Sequence, residues 1–182
     1  MVKRLETKLE GVALIEPQVF GDKRGFFVET FSLDSWTGLG VDAGFVQHNH
    51  SRSSKDTLRG LHFQTHPGQA KLLRCPRGSI FDVAVDLRRD SATYGQWEGH
   101  VLDDVNHHQL YVPVGFAHGF CVLSDVADVT YLVSSPYDPE TEAGIRWNDP
   151  EVGVEWPVDS PLLSQRDQSA PLLSEVAADL PF

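Results

Sequence analysis

The chain has 182 residues, 41% hydrophobic and 23% charged, and its 26 acidic against 15 basic residues leave a formal charge of −11. That size and composition fit one globular domain over residues 1–182 and argue against disorder, and the acidic balance excludes the clustered Lys and Arg that nucleic acid requires. No run approaches the ~18 apolar residues of a membrane span, and the opening Met1-Val2-Lys3-Arg4-Leu5-Glu6 lacks a signal-peptide core.

Short apolar runs predict strands at 12–15, 26–31 and 45–49, with turn chemistry at Gly21-Asp22 and a short helix after the cap-type residue Ser32. Strands follow at 71–75 and 80–87. In the latter, Phe81, Val83, Val85 and Leu87 alternate with Asp82, Ala84 and Asp86, the period-two pattern of a half-buried antiparallel strand with one polar face. Further runs at 100–102, 110–112, 120–123 and 129–133 are divided by Pro76-Arg77-Gly78, Asp103-Asp104 and Ser124-Asp125. A second short helix is expected after Ser169-Ala170-Pro171. The chain reads as mostly β, a jelly-roll-like sandwich or barrel with a few short helices. Cys75 and Cys121, far apart in apolar surroundings, read as buried free thiols of a reducing cytoplasm.

Two groups of residues suggest chemistry. His48 and His50 would share a strand face, His62 and His66 are four apart, and His118 follows the turn Pro113-Val114-Gly115-Phe116. They fit either an imidazole metal site or scattered hydrogen-bonding histidines; His107-His108, behind Asp103-Asp104, read as a solvated turn. The second group is cationic: Arg24, Arg59, Lys71 and Arg74 lie in or beside apolar strands. Because an unpaired buried cation is costly, they need either acidic partners or an anionic ligand such as a phosphate. Phe26, Phe27, Phe63, Tyr131 and Tyr137 lie among these polar groups, and a buried tyrosine hydroxyl can act as an acid.

Six ordered stretches resemble the dTDP-4-dehydrorhamnose 3,5-epimerase family over nearly the whole chain. They are Phe20-Gly21-Asp22-Lys23-Arg24-Gly25-Phe26-Phe27, Leu58-Arg59-Gly60-Leu61-His62-Phe63-Gln64, Gly78-Ser79-Ile80-Phe81-Asp82-Val83-Ala84-Val85-Asp86, Val112-Pro113-Val114-Gly115-Phe116-Ala117-His118-Gly119-Phe120, Trp147-Asn148-Asp149-Pro150 and Ser164-Gln165-Arg166-Asp167. The resemblance implies a cupin jelly roll, a homodimer, and neither metal nor cofactor. Metal-binding cupins typically carry Glu seven residues before a Gly, whereas here that position before Gly78 is Lys71, and Val122 stands where their Asn is usual. A cation in place of a carboxylate repels a divalent metal.

The implied reaction inverts C3 and C5 of dTDP-4-dehydro-6-deoxy-glucose. Both carbons are α to the C4 ketone, so a base, an acid on the opposite face and a positive charge at the enolate oxygen are required. By the resemblance His62 is the base, Asp167 its orienting partner, Tyr131 the proton donor and Lys71 the enolate cation. Substrate binding falls to Arg24, Glu29, Gln47, His48, Asn49, Arg59, Lys71, His118, Tyr137, Glu142 and Arg166, with Arg166 standing where the family often has Lys. Residues near Arg24 and Glu29 are expected to reach a partner's site. The alternatives are a C3-only or C5-only nucleotide-sugar epimerase, a metal-dependent cupin enzyme, and a non-catalytic sugar-nucleotide-binding cupin.

Overall fold

The computed structural model describes residues 1–182 as thirteen strands and three short α-helices. The strands are β1 (Lys3–Leu5), β2 (Ala13–Glu16), β3 (Val19–Asp22), β4 (Gly25–Val28), β5 (Gln47–Ser54), β6 (Leu58–Gln64), β7 (Lys71–Arg77), β8 (Ser79–Asp86), β9 (Trp97–Asp103), β10 (Gln109–Val112), β11 (Phe116–Val122), β12 (Val126–Val133) and β13 (Glu142–Gly144). The helices are α1 (Leu33–Thr37), α2 (Gln165–Gln168) and α3 (Leu173–Val176). Antiparallel pairing builds a six-stranded sheet in the order β1-β2-β10-β7-β12-β5 and a five-stranded sheet in the order β13-β6-β11-β8-β9, and β3 and β4 form a separate hairpin. This is the mostly β, cupin-type jelly roll that the sequence predicts.

Three apolar layers hold it together. Leu73, Leu110 and Val129 from one sheet meet Ile80, Leu102 and Phe120 from the other in the space between them. Ile15, Leu72 and Tyr111 turn outward from the six-stranded sheet under Trp36 and Val41. Leu61, Val83 and Val85 turn outward from the five-stranded sheet under Ile145, Leu173 and Leu180. Each fully buried Leu, Ile or Val is worth ~1.5–3 kcal/mol of transfer free energy, so covering both outer faces contributes as much as the central layer.

That double cover corrects the reading of β8. Its Asp82 and Asp86 are both wholly buried, because the polar side of the strand faces the space between the sheets rather than solvent. Asp86 is satisfied by Arg88, Ser91 and Thr93, and Asp82 by a histidine described below. β1, β3, β6 and β13 were not expected. Leu61 and Phe63 face the outer core while His62 faces inward, but the alternation is short, because the register against β11 shifts between His62 and Arg59, where Gly60 sits. β5 starts later than expected and runs on through Ser51, Arg52 and Ser53, which pair with Val129, Asp128 and Ala127 of β12; tertiary pairing overrides the weak strand preference of serine. Gly21-Asp22 closes β3, and the turn falls two residues later at Lys23-Arg24. The helices after Ser32 and Pro171 are present, and α2 is an addition.

Candidate active site

At one end of the sandwich a cavity of about 730 Å³ opens between the two sheets. The inner face of β6 brings His62 to it and the inner face of β11 brings His118; the two histidines are register partners on neighbouring strands. Gly60 and Gly119 allow this close pairing. A Cβ on Gly60, whose φ is +130°, would lie 2.5 Å from the Gly119 Cα. From the six-stranded sheet, β7 supplies Lys71 and β12 supplies Tyr131, while Gln47 and Asn49 project from β5.

Asp167 reaches His62 through a local device. Leu162 pairs with Thr57 ahead of β6, and Ser164 then caps α2 by accepting the Asp167 amide N–H at 3.1 Å. The buried Asp167 carboxylate comes within 2.6 Å of His62 Nε2. With that carboxylate accepting the Nε2–H, the lone pair of His62 resides on Nδ1. Burial by itself would raise the Asp167 carboxyl, but the hydrogen bond and charge of His62, aided by Ser164 and Arg166, outweigh it and hold the group below the usual carboxylate range.

Behind His118 lies the buried Asp82, its two oxygens 3.0 and 3.1 Å from His118 Nε2. Burial depresses the imidazole below its ordinary range despite Asp82, with the Lys71 and His62 charges adding to the depression, so His118 is neutral near pH 7. Burial also pushes the Lys71 ammonium down to about 8, against the opposing pull of Glu142 and Asp82. Tyr131, half-buried, has its phenol raised chiefly by burial, so it keeps its proton at neutral pH. At the mouth, Arg166 pairs with Glu142, and the Glu142 carboxyl stays low because Arg166 and Tyr137 outweigh the effect of burial. Arg59 also lines the cavity, donating from Nε to Ser53 Oγ at 3.0 Å.

The cavity thus gathers His62, Asp167, Tyr131, Lys71, Gln47, Asn49, Arg59, His118, Tyr137, Glu142 and Arg166. Three expected residues stand elsewhere. His48 is exposed on the opposite face of β5, because alternate residues of a strand point to opposite sides. Arg24 and Glu29 belong to the β3–β4 hairpin and its exit, where Arg24 is paired with Asp22 and Phe26 stacks on His107 at 4.6 Å. The four cations do not form one cluster either: Arg59 and Lys71 line the cavity, while Arg74 points with Leu72 away from it. The imidazoles also separate, leaving His62 and His118 together, and no group of three His, Cys, Asp or Glu side chains is arranged to hold a metal ion. Gln69 and Ser164 line the cavity unexpectedly. For Ser164 the signal was present, since Ser-x-x-Asp at 164–167 is a helix-start pattern.

A sequence model of dTDP-4-dehydrorhamnose 3,5-epimerase matches residues 6–175. The chain belongs to this epimerase family. It is 49% identical over 175 residues to the dTDP-4-dehydrorhamnose 3,5-epimerase of Escherichia coli, covering 94% of this chain and 95% of that protein. It is 53% identical over 165 residues to the enzyme of the same name from Neisseria gonorrhoeae, covering 90% of this chain but spanning only half the length of that relative. It is also 47% identical over 169 residues to a dTDP-4-dehydrorhamnose 3-epimerase of Streptomyces niveus, covering 92% and 82% of the two chains. Among solved structures, a 3,5-epimerase from Legionella pneumophila in complex with dTDP-4-keto-L-rhamnose superposes with a TM-score of 0.95 at 43% identity, covering 99% of this chain and 97% of that one.

Proposed function

We propose that this chain inverts C3 and C5 of dTDP-4-dehydro-6-deoxy-glucose, giving dTDP-4-dehydro-rhamnose for deoxysugar biosynthesis. The observation that carries the reading is the opposition of two walls: His62, held by Asp167, faces the cavity from the five-stranded sheet, and Tyr131 and Lys71 face it from the six-stranded sheet. A sugar ring between them has a base on one face and an acid on the other. His62 Nδ1 removes the proton α to the ketone, the Lys71 ammonium stabilises the enolate oxygen, and Tyr131 returns a proton from the opposite side. The enolate charge is met by Lys71 rather than by a metal, so activity survives exhaustive chelation. Arg59, Arg166, Glu142, Tyr137, Gln47 and Asn49 hold the nucleotide nearer the mouth.

NMR of the product formed in D₂O tests this reading. Deuterium and inversion at both C3 and C5 are expected; inversion at one carbon alone would instead make this a mono-epimerase like the relative from Streptomyces niveus. Absence of exchange would overturn the reading altogether.

The protein acts as a homodimer in the cytoplasm. Phe20, Phe26 and Phe27 are all more than half exposed on the β3–β4 hairpin, which also carries Arg24. Burying that apolar surface against a second copy stabilises the pair and carries Arg24 and Glu29 to the partner's cavity. Light scattering should give twice the chain mass of 20.2 kDa; a fully active monomer would contradict it. Location in the cytoplasm rests on the free, buried Cys75 and Cys121, thiols that a reducing compartment keeps unpaired.

A further inference from the structure

Inversion by one base and one acid leaves the enzyme changed. After His62 takes a proton and Tyr131 gives one, the sugar has kept its composition, but the imidazole is an imidazolium and the phenol a phenolate. One proton must pass from His62 to Tyr131 before either can act again. If two carbons of the same bound sugar are inverted, it must pass while the nucleotide fills the cavity and bulk water is largely excluded.

The two sheets place a path between these groups. On the five-stranded sheet His118 is the direct cross-strand neighbour of His62, so their side chains are adjacent on the inner face. The Nε2 of His118 is taken up by Asp82, which leaves Nδ1 as the nitrogen free to accept a proton. On the six-stranded sheet Tyr131 pairs with Leu73 and Val133 with Lys71, making Lys71 and Tyr131 diagonal neighbours on one face, a separation that long side chains span. Lys71 and His118 line the same cavity from facing sheets, and the Asp82 carboxylate that holds His118 also acts electrostatically on Lys71.

We propose that His118 and Lys71 form the path by which the proton taken up by His62 returns to Tyr131 between inversions. Lys71 gives a proton to the Tyr131 phenolate and becomes the amine. The His62 imidazolium passes its proton to Nδ1 of His118, and the resulting imidazolium, stabilised by Asp82, passes it to the Lys71 amine. One proton has moved, no electron pair has been gained or lost, and all four groups are restored. Lys71, brought down to about 8 by burial, can release and retake a proton near neutrality, and His118, neutral at rest with its Nε2 held by Asp82, has Nδ1 open to accept one.

The proposal rests on the assignment of His62 and Tyr131, and the experiment separates the two. His118→Gln keeps a donor for Asp82 but cannot relay, and Asp82→Asn removes the charge that stabilises the His118 imidazolium; binding of dTDP by each variant first shows that the fold is intact. Dehydro-sugar substrate is mixed with a stoichiometric amount of enzyme in D₂O, and each carbon is followed by rapid quench and NMR. The expected result is that the rate of the second inversion, or of the next turnover, relative to the first falls about tenfold or more from its value in the unsubstituted enzyme, whatever the loss of a binding contact does to both. Parallel slowing of the first and later inversions would overturn the relay by placing His118 in the chemical step itself, and unchanged kinetics would overturn it by showing that water resets the site. Ordinary exchange by His62→Ala, in contrast, would overturn the base assignment and not the relay alone.

Discussion

Gly144 sits directly opposite His62 on the neighbouring strand, and a Cβ there would lie 2.8 Å from the Leu61 carbonyl oxygen and 3.4 Å from Cδ2 of the His62 ring. The constraint is space, not backbone conformation: β13 must lie this close to β6 for Glu142 on the same strand to reach the cavity mouth. Gly144→Ala therefore has to push β13 outward or tilt the imidazole away from Asp167. Displacing a reacting group by about 1 Å can cost up to 10²-fold, so kcat should fall about ten- to a hundredfold. Steady-state kinetics check this, and an unchanged kcat would show that the strand yields without moving His62.

His62→Ala removes the base of the proposed mechanism and leaves Arg59 and Arg166 in place. Deuterium entry at the sugar carbons should drop ~10²–10⁴-fold while dTDP still binds. Asp167→Asn is expected to impair the same step less severely, by disturbing the 2.6 Å contact that fixes the tautomer. Loss of dTDP affinity in parallel with exchange would show that these residues act on binding.

Much of this site was legible because the motifs at 58–64, 112–120 and 164–167 are long and ordered, and alternation along β7 and β12 then places Lys71 and Tyr131 inward. What alternation alone conceals is which face is inward. Asp82 looked like part of a polar face, and only the cover laid over Val83 and Val85 by the C-terminal segment shows that it points into the sandwich to meet His118. His48 stands outside the cavity for the same reason in reverse, as the neighbour of two inward residues on a strand with one exposed face. The strand register that aligns His118 with His62 follows from pairing between distant segments, which local sequence does not encode.

The buried Lys71 gives opposite pH trends for activity and stability. In the proposed mechanism the enolate is stabilised by the ammonium form, so kcat/KM of the free enzyme should fall as pH rises through about 8. The folded-state pKa lies below that of the unfolded chain, so between about 8 and the ordinary lysine range the unfolded state binds more protons. The contribution of this group to stability accordingly rises with pH across the window where activity falls. Lys71→Arg keeps the positive charge at all accessible pH and should remove the descending limb. A limb that persists in this variant would assign it to another group.

Tyr131 separates proton removal from inversion. Burial raises its phenol, so the group is protonated at neutral pH, and it faces the cavity from the sheet opposite that of His62. Tyr131→Phe keeps the ring and its packing beside Val129 but removes the proton. His62 can still take a proton from C3 or C5 and return one to the same face, because its bond to Asp167 does not involve Tyr131. Inversion should therefore fall ~10²–10⁴-fold, whereas solvent deuterium continues to enter. The recovered sugar is expected to be labelled and largely uninverted, as read by NMR after incubation in D₂O. Equal losses of label and inversion would mean that Tyr131 supports enolate formation as a whole, and undiminished inversion would place the acid on another side chain of the six-stranded sheet.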